Sequence, residues 1–209
     1  MRPMMRRLII AKHSERLWHK MTTTGIDSFR NLLIEYCSPT LAGMKTGSLF
    51  TVYGCCDHIL GEIRDLNHKL TKKGLRIVPV RKNRKYTLVY IYRPDMLKAD
   101  LDLPEAEDIL SRKGYSCGDP DCCLSQLVNH LLNDKDFPHE IGLFLGYPPS
   151  DVRCFMRDSC RGVKCTGSWK AYSNEEEARS TFERFRRCRD YFKKELKRGK
   201  SLELLIKGQ

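Results

Sequence analysis

Three features of this chain carry side chains that chemistry needs. They are a set of ten cysteines, an adjacent His139-Glu140 pair, and Lys45, which lies in the small-residue stretch CSPTLAGMKTGS from Cys37 to Ser48. Thiolates serve as metal ligands or redox groups, and an imidazole is a ligand or proton shuttle near neutral pH. An ammonium among glycines and hydroxyls meets anions. Together these residues point to a small ligand or a metal ion held by Cys37, Thr40, Lys45, His139, Glu140 and Cys165. Cys37, His139 and Cys165 form the metal-ligand set, with Glu140 as base or orienter of His139. Pro138 places the pair in the first turn of a helix, where exposed amides favour an acid, so simple capping is the plain alternative.

No complete catalytic signature accompanies these residues. Cys117, Cys122 and Cys123 are spaced C-x4-C-C, and Cys154, Cys160 and Cys165 are spaced C-x5-C-x4-C. Structural zinc favours two close pairs with roughly two to four residues between the thiols, which neither group supplies. The Lys45 loop lacks the G-x-x-x-x-G-K-[ST] order of a nucleotide-binding loop.

A second chemistry is legible in Phe137–Val152, FPHEIGLFLGYPPSDV. Gly142, Gly146, Val152 and Phe155 have the spacing of a helix-turn-helix, with Ser150, Arg153 and Arg157 at the positions that would read DNA. Pro148 and Pro149 shorten the second helix and Asp151 adds a negative charge, so an angled pair of packing helices explains the same spacing.

Composition bounds these readings. The 209 residues are 41% hydrophobic and 31% charged, as in an ordinary globular protein. No apolar run reaches the roughly 20 residues of a membrane span. Lys and Arg exceed Asp and Glu by 12, and the excess sits at the two ends of the chain. Residues 1–20 hold six basic residues against Glu15, and Arg179–Lys200 hold ten against Glu183, Asp190 and Glu195. An anionic partner follows as a candidate: nucleic acid, which is not the favoured reading, or an acidic protein docked on the final helix without chemistry. The N-terminus carries no secretory-type apolar core, so a reducing, cytoplasmic setting is expected for the thiols.

The elements that must position these residues follow from periodicity. Ile26, Phe29, Leu32, Leu33 and Tyr36 predict a helix ending near Cys37, because Pro39 disfavours helical geometry before it. Leu49–Tyr53 predict a strand, and Ile59, Ile63, Leu66 and Leu70 predict a helix capped by Gly74. Leu75–Val80 and Tyr86–Tyr92 predict a hairpin with a basic tip. Strand, helix, strand, strand implies a small mixed sheet. Several helices follow, the last long and basic, with Ala178, Phe182, Phe185, Cys188, Phe192 and Leu196 on one face. The fold class is α+β, with 1–20 as a basic extension, Met21 as an alternative start, and 21–209 as a single domain.

The segments CSPTLAG, YRP, FPHEIGLFLGYP and KCTGSWKAY, in this order, resemble an uncharacterised family of anaerobic Firmicute bacteria over roughly residues 27–200. The resemblance implies a cytosolic bacterial protein without an assigned activity. It adds Trp169 to the candidate ligand-binding residues, and the implied anaerobic host suggests a redox or iron-related role for the thiols.

Overall fold

The computed structural model describes residues 25–54, 56–82, 86–134 and 136–206. The basic extension at 1–20, Met21, and hairpin-tip residues 83–85 lie outside the described residues.

The first half of the chain builds a sheet with its flanking helices: α1 (Gly25–Leu41), β1 (Gly47–Tyr53), α2 (Cys56–Leu70), β2 (Arg76–Lys82) and β3 (Tyr86–Tyr92). The second half is mostly helical: α3 (Pro94–Leu101), α4 (Pro104–Arg112), α5 (Pro120–Asn133), α6 (Ile141–Phe144) and α7 (Pro149–Arg157). A small hairpin of β4 (Cys165–Thr166) and β5 (Lys170–Ala171) precedes the long α8 (Glu175–Lys197) and the short α9 (Leu202–Leu205). The architecture is α+β.

The sheet is antiparallel throughout, which corrects the mixed sheet expected from element order. The strand order is β1-β3-β2, with β3 antiparallel to both neighbours. The crossover through α2 leaves β1 and β2 running the same way but not adjacent, and β3 fills the gap between them. This is a split β-α-β arrangement. Gly74, at φ +70°, ends the turn after α2 as its position in the sequence suggests.

Both faces of the sheet are covered. Side chains alternate along a strand, so Phe50, Val52, Val89, Ile91 and Ile77 enter a cluster with α1, α2, α9 and Phe192 of α8. Leu49, Tyr90, Tyr92 and Val80 enter a second cluster with α3 to α7. This two-sided burial is why β3, YTLVYIY, reads as a continuous apolar run.

Helix α1 runs four residues past its expected end, with Pro39 inside it. Proline forfeits one helical hydrogen bond and crowds the preceding turn. Two contacts offset that cost: Ser38 Oγ donates to Ile34 O, and Arg93 donates Nε to Thr40 O at 2.8 Å and a second guanidinium N–H to Leu41 O at 2.7 Å. Arg93 thus serves as a tertiary cap for carbonyls that have no intrahelical partner. The YRP segment, read from sequence only as a strand stop, also opens α3, with Pro94 in its first turn.

Helices α6 and α7 cross at Gly142, where a Cβ would lie 2.8 Å from Val152 Cγ2. Gly146, at φ +72°, turns the chain between them. The spacing that resembles a helix-turn-helix is met by this close crossing.

Candidate functional site

The structure divides the expected site into two places. His139 and Glu140 line an open cleft of about 580 Å³ together with Lys113, His130, Asp134 and Asp136. Phe137, Pro138 and Met156 supply apolar wall. The C-terminal end of α5 brings His130, and the turn before α6 brings His139 and Glu140.

His130, Glu140 and His139 are each in contact with a neighbouring side chain. His130 Nδ1 lies 2.7 Å from Asp134 Oδ2, one helical turn on, which leaves its Nε2 as the ring nitrogen without a hydrogen bond among the described residues. Tyr115 stacks on His130 with ring centroids 5.1 Å apart and donates its hydroxyl to Glu140 Oε1 at 3.0 Å. Burial and the neighbouring Glu140 carboxylate push the Tyr115 hydroxyl pKa well up, so Tyr115 stays a donor. Glu140 itself is buried, at 3% exposure. His139 packs edge-on to Phe155, with centroids 5.1 Å apart, and tilts against Phe137. It remains exposed on the cleft wall.

The partly desolvated setting of His139 lowers its pKa from the usual 6.5, with Glu140 and Asp136 opposing and Lys113 assisting. A histidine with a depressed folded pKa binds its proton more readily in the unfolded chain. Its contribution to stability is therefore present above the unfolded value near 6.5 and is lost as pH falls through that value toward the folded pKa. Urea denaturation between about pH 7.5 and 5 is expected to show a larger loss for the parent protein than for His139→Gln, because the variant lacks this one titration.

The second place is the junction of the Cys37–Ser48 segment with Phe144–Tyr147. A Cβ at Gly47 would lie 2.7 Å from Phe144 O and 2.6 Å from the Tyr90 ring, so only glycine lets these segments meet. Tyr90 donates its hydroxyl to Phe144 O at 2.5 Å. Thr46 donates to Asp100 Oδ2 beside Gly146. Thr40 and Ser48 share a hydrogen bond of 2.9 Å between their hydroxyls. Lys45 Nζ sits 5.0 Å over the ring of Tyr147, which in turn stacks on Trp169 with centroids 5.3 Å apart. Cys37, Thr40, Lys45 and Trp169 are therefore linked through one packed junction, from which His139 and Glu140 are separate.

Cys37, Cys165 and His139 lie in three different surroundings. Among the described residues, no group of three His, Cys, Asp or Glu side chains is placed to hold a metal ion. Cys37 belongs to the cluster beneath α1, and Cys165 packs in a third cluster with Ala171, Ala178, Trp169 and Phe182. His139 faces the cleft. Four of the thiols are poorly suited to thiolate chemistry, which needs a depressed pKa. Burial pushes Cys37 and Cys117 up, and it raises Cys123 and Cys188 to about 11.

Arg153 pairs with Asp108 of α4 at 2.8 Å and Arg157 is exposed, while Ser150 is half-buried. On α8 and its end, seven of the ten basic residues from Arg179 to Lys200 have a carboxylate partner among the described residues, Glu35, Glu175, Glu183, Asp190 or Glu195, leaving Arg184, Lys194 and Lys197 without one there. The final helix is thus less cationic to an approaching partner than its sequence implies.

Sequence reasoning missed Asp151, which it treated as a charge unfavourable to DNA. Asp151 is buried at 3% exposure and accepts four hydrogen bonds: from Trp169 Nε1 at 2.8 Å, Tyr172 N at 2.9 Å, Ser173 N at 2.9 Å and Ser173 Oγ at 2.8 Å. It joins α7 to the β4–β5 hairpin. The sequence signal was an acid among apolar residues in the first turn of a short helix, in a chain with a conspicuous tryptophan-bearing motif elsewhere.

A family model described as "Protein of unknown function (DUF3793)" matches residues 33–206. The chain belongs to this family. The DUF3793 match takes in both the His139 cleft and the Lys45 junction, and its description assigns no activity. No curated protein and no solved structure matches the chain. Among the described residues, no helix is long and apolar enough to cross a membrane.

Proposed function

We propose that this DUF3793 protein binds a small polar ligand in the His139 cleft, with His130 Nε2, His139 and Lys113 as the groups that meet it. The observation that carries this reading is the placement of two imidazoles and a lysine around one cleft of about 580 Å³, inside the roughly 300–1,000 Å³ range of ligand pockets. Asp134 holds His130, Tyr115 satisfies Glu140, and the apolar wall of Phe137, Pro138 and Met156 covers the ligand's body. Fixed side chains of this kind supply orientation at low entropic cost. The ligand class that fits is a small molecule with a hydrogen-bond-accepting end and an apolar body.

The test is a thermal-shift screen of small carboxylates, phosphates and amino acids, run in parallel on the parent protein and on His139→Ala. Compounds that raise the midpoint of the parent by several degrees and leave the variant unmoved support the reading. Equal shifts in both proteins overturn it.

A further inference from the structure

Lys45 is a cation without a counter-ion. It is largely covered by its surroundings, and among the described residues it forms no ion pair and no hydrogen bond; its partner is the face of Tyr147, 5.0 Å away. The polar groups around it are committed elsewhere. Thr40 and Ser48 bond each other, and Thr46 bonds Asp100. Cys37, the nearest thiol, is fully buried, with its pKa pushed up. Folding ordinarily pairs or exposes a lysine; here the face of Tyr147 is what offsets the covering of the ammonium.

The same geometry suits an amine that reacts. Without a carboxylate to hold it charged, a covered lysine loses its proton more easily, as catalytic lysines do. Burial lowers the pKa of Lys45 to about 8, with Cys37 opposing. The ring face of Tyr147 then stabilises a cation, and an iminium is one. Tyr147 is itself held by its stack on Trp169, and Trp169 by Asp151 and by an edge contact to Phe182 at 4.6 Å.

We propose that Lys45 is a carbonyl-capturing amine, forming an imine with a small aldehyde or α-keto acid on the aromatic platform of Tyr147 and Trp169. The lone pair of Nζ attacks the carbonyl carbon, and a C–N bond forms as the carbonyl π bond breaks. The oxygen departs as water with the two amine protons, leaving C=N, which is protonated to the iminium over Tyr147. No oxidant or reductant takes part. The proposal concerns a site separate from the His139 cleft and stands or falls independently of it.

The experiment exposes the full chain to glyoxylate, and in a parallel arm to acetaldehyde, with cyanoborohydride near pH 7.5, and reads adducts by peptide mass spectrometry. A pKa of about 8 leaves on the order of 200 times more free amine at that pH than an ordinary lysine has, and the weaker nucleophilicity of a less basic amine takes back part of this. Lys45 is expected to be labelled at least about tenfold faster than exposed Lys72 and Lys197. Tyr147→Phe, which keeps the ring, is expected to retain the preference, and Tyr147→Leu to lose it with the fold intact by circular dichroism. Labelling of Lys45 no faster than Lys72 and Lys197 with both probes overturns the proposal, as does a preference unchanged in Tyr147→Leu.

Discussion

Asp151→Ala is expected to cost the fold about 4 kcal/mol, read as a fall in the urea midpoint. One buried carboxylate accepts four hydrogen bonds, and its removal leaves Trp169 Nε1 and the backbone N–H groups of Tyr172 and Ser173 without their acceptor. Each such loss away from water costs roughly 1–3 kcal/mol, and relaxation of the hairpin recovers part of the sum. Asp151→Asn keeps an oxygen for the Tyr172 and Ser173 amides but turns an NH2 toward the indole N–H, so its loss is expected to be about half as large. A loss below about 1 kcal/mol for the alanine variant would mean that the hairpin is not anchored through this residue. Trp169 holds the platform under Tyr147, so the same variant should also shift the tryptophan fluorescence maximum.

Arg93→Ala is expected to be comparably damaging, at about 3–5 kcal/mol. Arg93 is 3% exposed and donates to Thr40 O, Leu41 O and, at 3.4 Å, Lys73 O. The cationic guanidinium also faces the negative end of the α1 dipole. Its planar fork holds two N–H groups at a fixed spacing toward two successive carbonyls, an orientation that the flexible stem of a lysine does not fix in advance. Arg93→Lys should therefore recover only a minor part of the loss. Full recovery by lysine would show that charge alone, not the fork, holds the end of α1. Because Pro39 already weakens the last turn, hydrogen exchange in Arg93→Ala should quicken first at Leu41 and Ala42, whose N–H groups protect that turn.

What was legible in the sequence was local. Tyr86–Tyr92 is a strand with the bounds its β-branched and aromatic run predicts, the long last helix follows its apolar stripe, and Gly74 caps where it should. What was not legible depends on partners distant in sequence. Pro39 read as a helix end because the compensating guanidinium lies 53 residues beyond Thr40. The neighbour of β1 could not be read from element order, since the return strand of a hairpin can insert between the two strands that a crossover joins. Arg179–Lys200 looked like a free cationic face because Glu35, which pairs with Arg189 and Lys193, lies on α1.

The candidate site was legible in its parts and not in its assembly. His139 and Glu140 stood out because packing alone does not call for an adjacent ionisable pair, and they do line a cleft. Their partners there, His130 with Asp134 and Tyr115, carried no motif and are ordinary residues of a helix and a loop. Lys45 stood out for its glycine-rich setting, but its isolation from any carboxylate is a property of the fold around it. Cys37 and Cys165 drew notice as thiols and are explained as core: each fills apolar space in a different cluster.

The two imidazoles report most directly on whether the His139 cleft takes a ligand. Nitrogen-15 spectra of the His130 and His139 side chains, recorded near pH 7 during titration with any compound that stabilises the protein, are expected to move together and saturably, with His130 Nε2 shifting more than the Asp134-bound Nδ1. A compound that binds saturably while both imidazoles stay unmoved would place its site elsewhere and contradict the account.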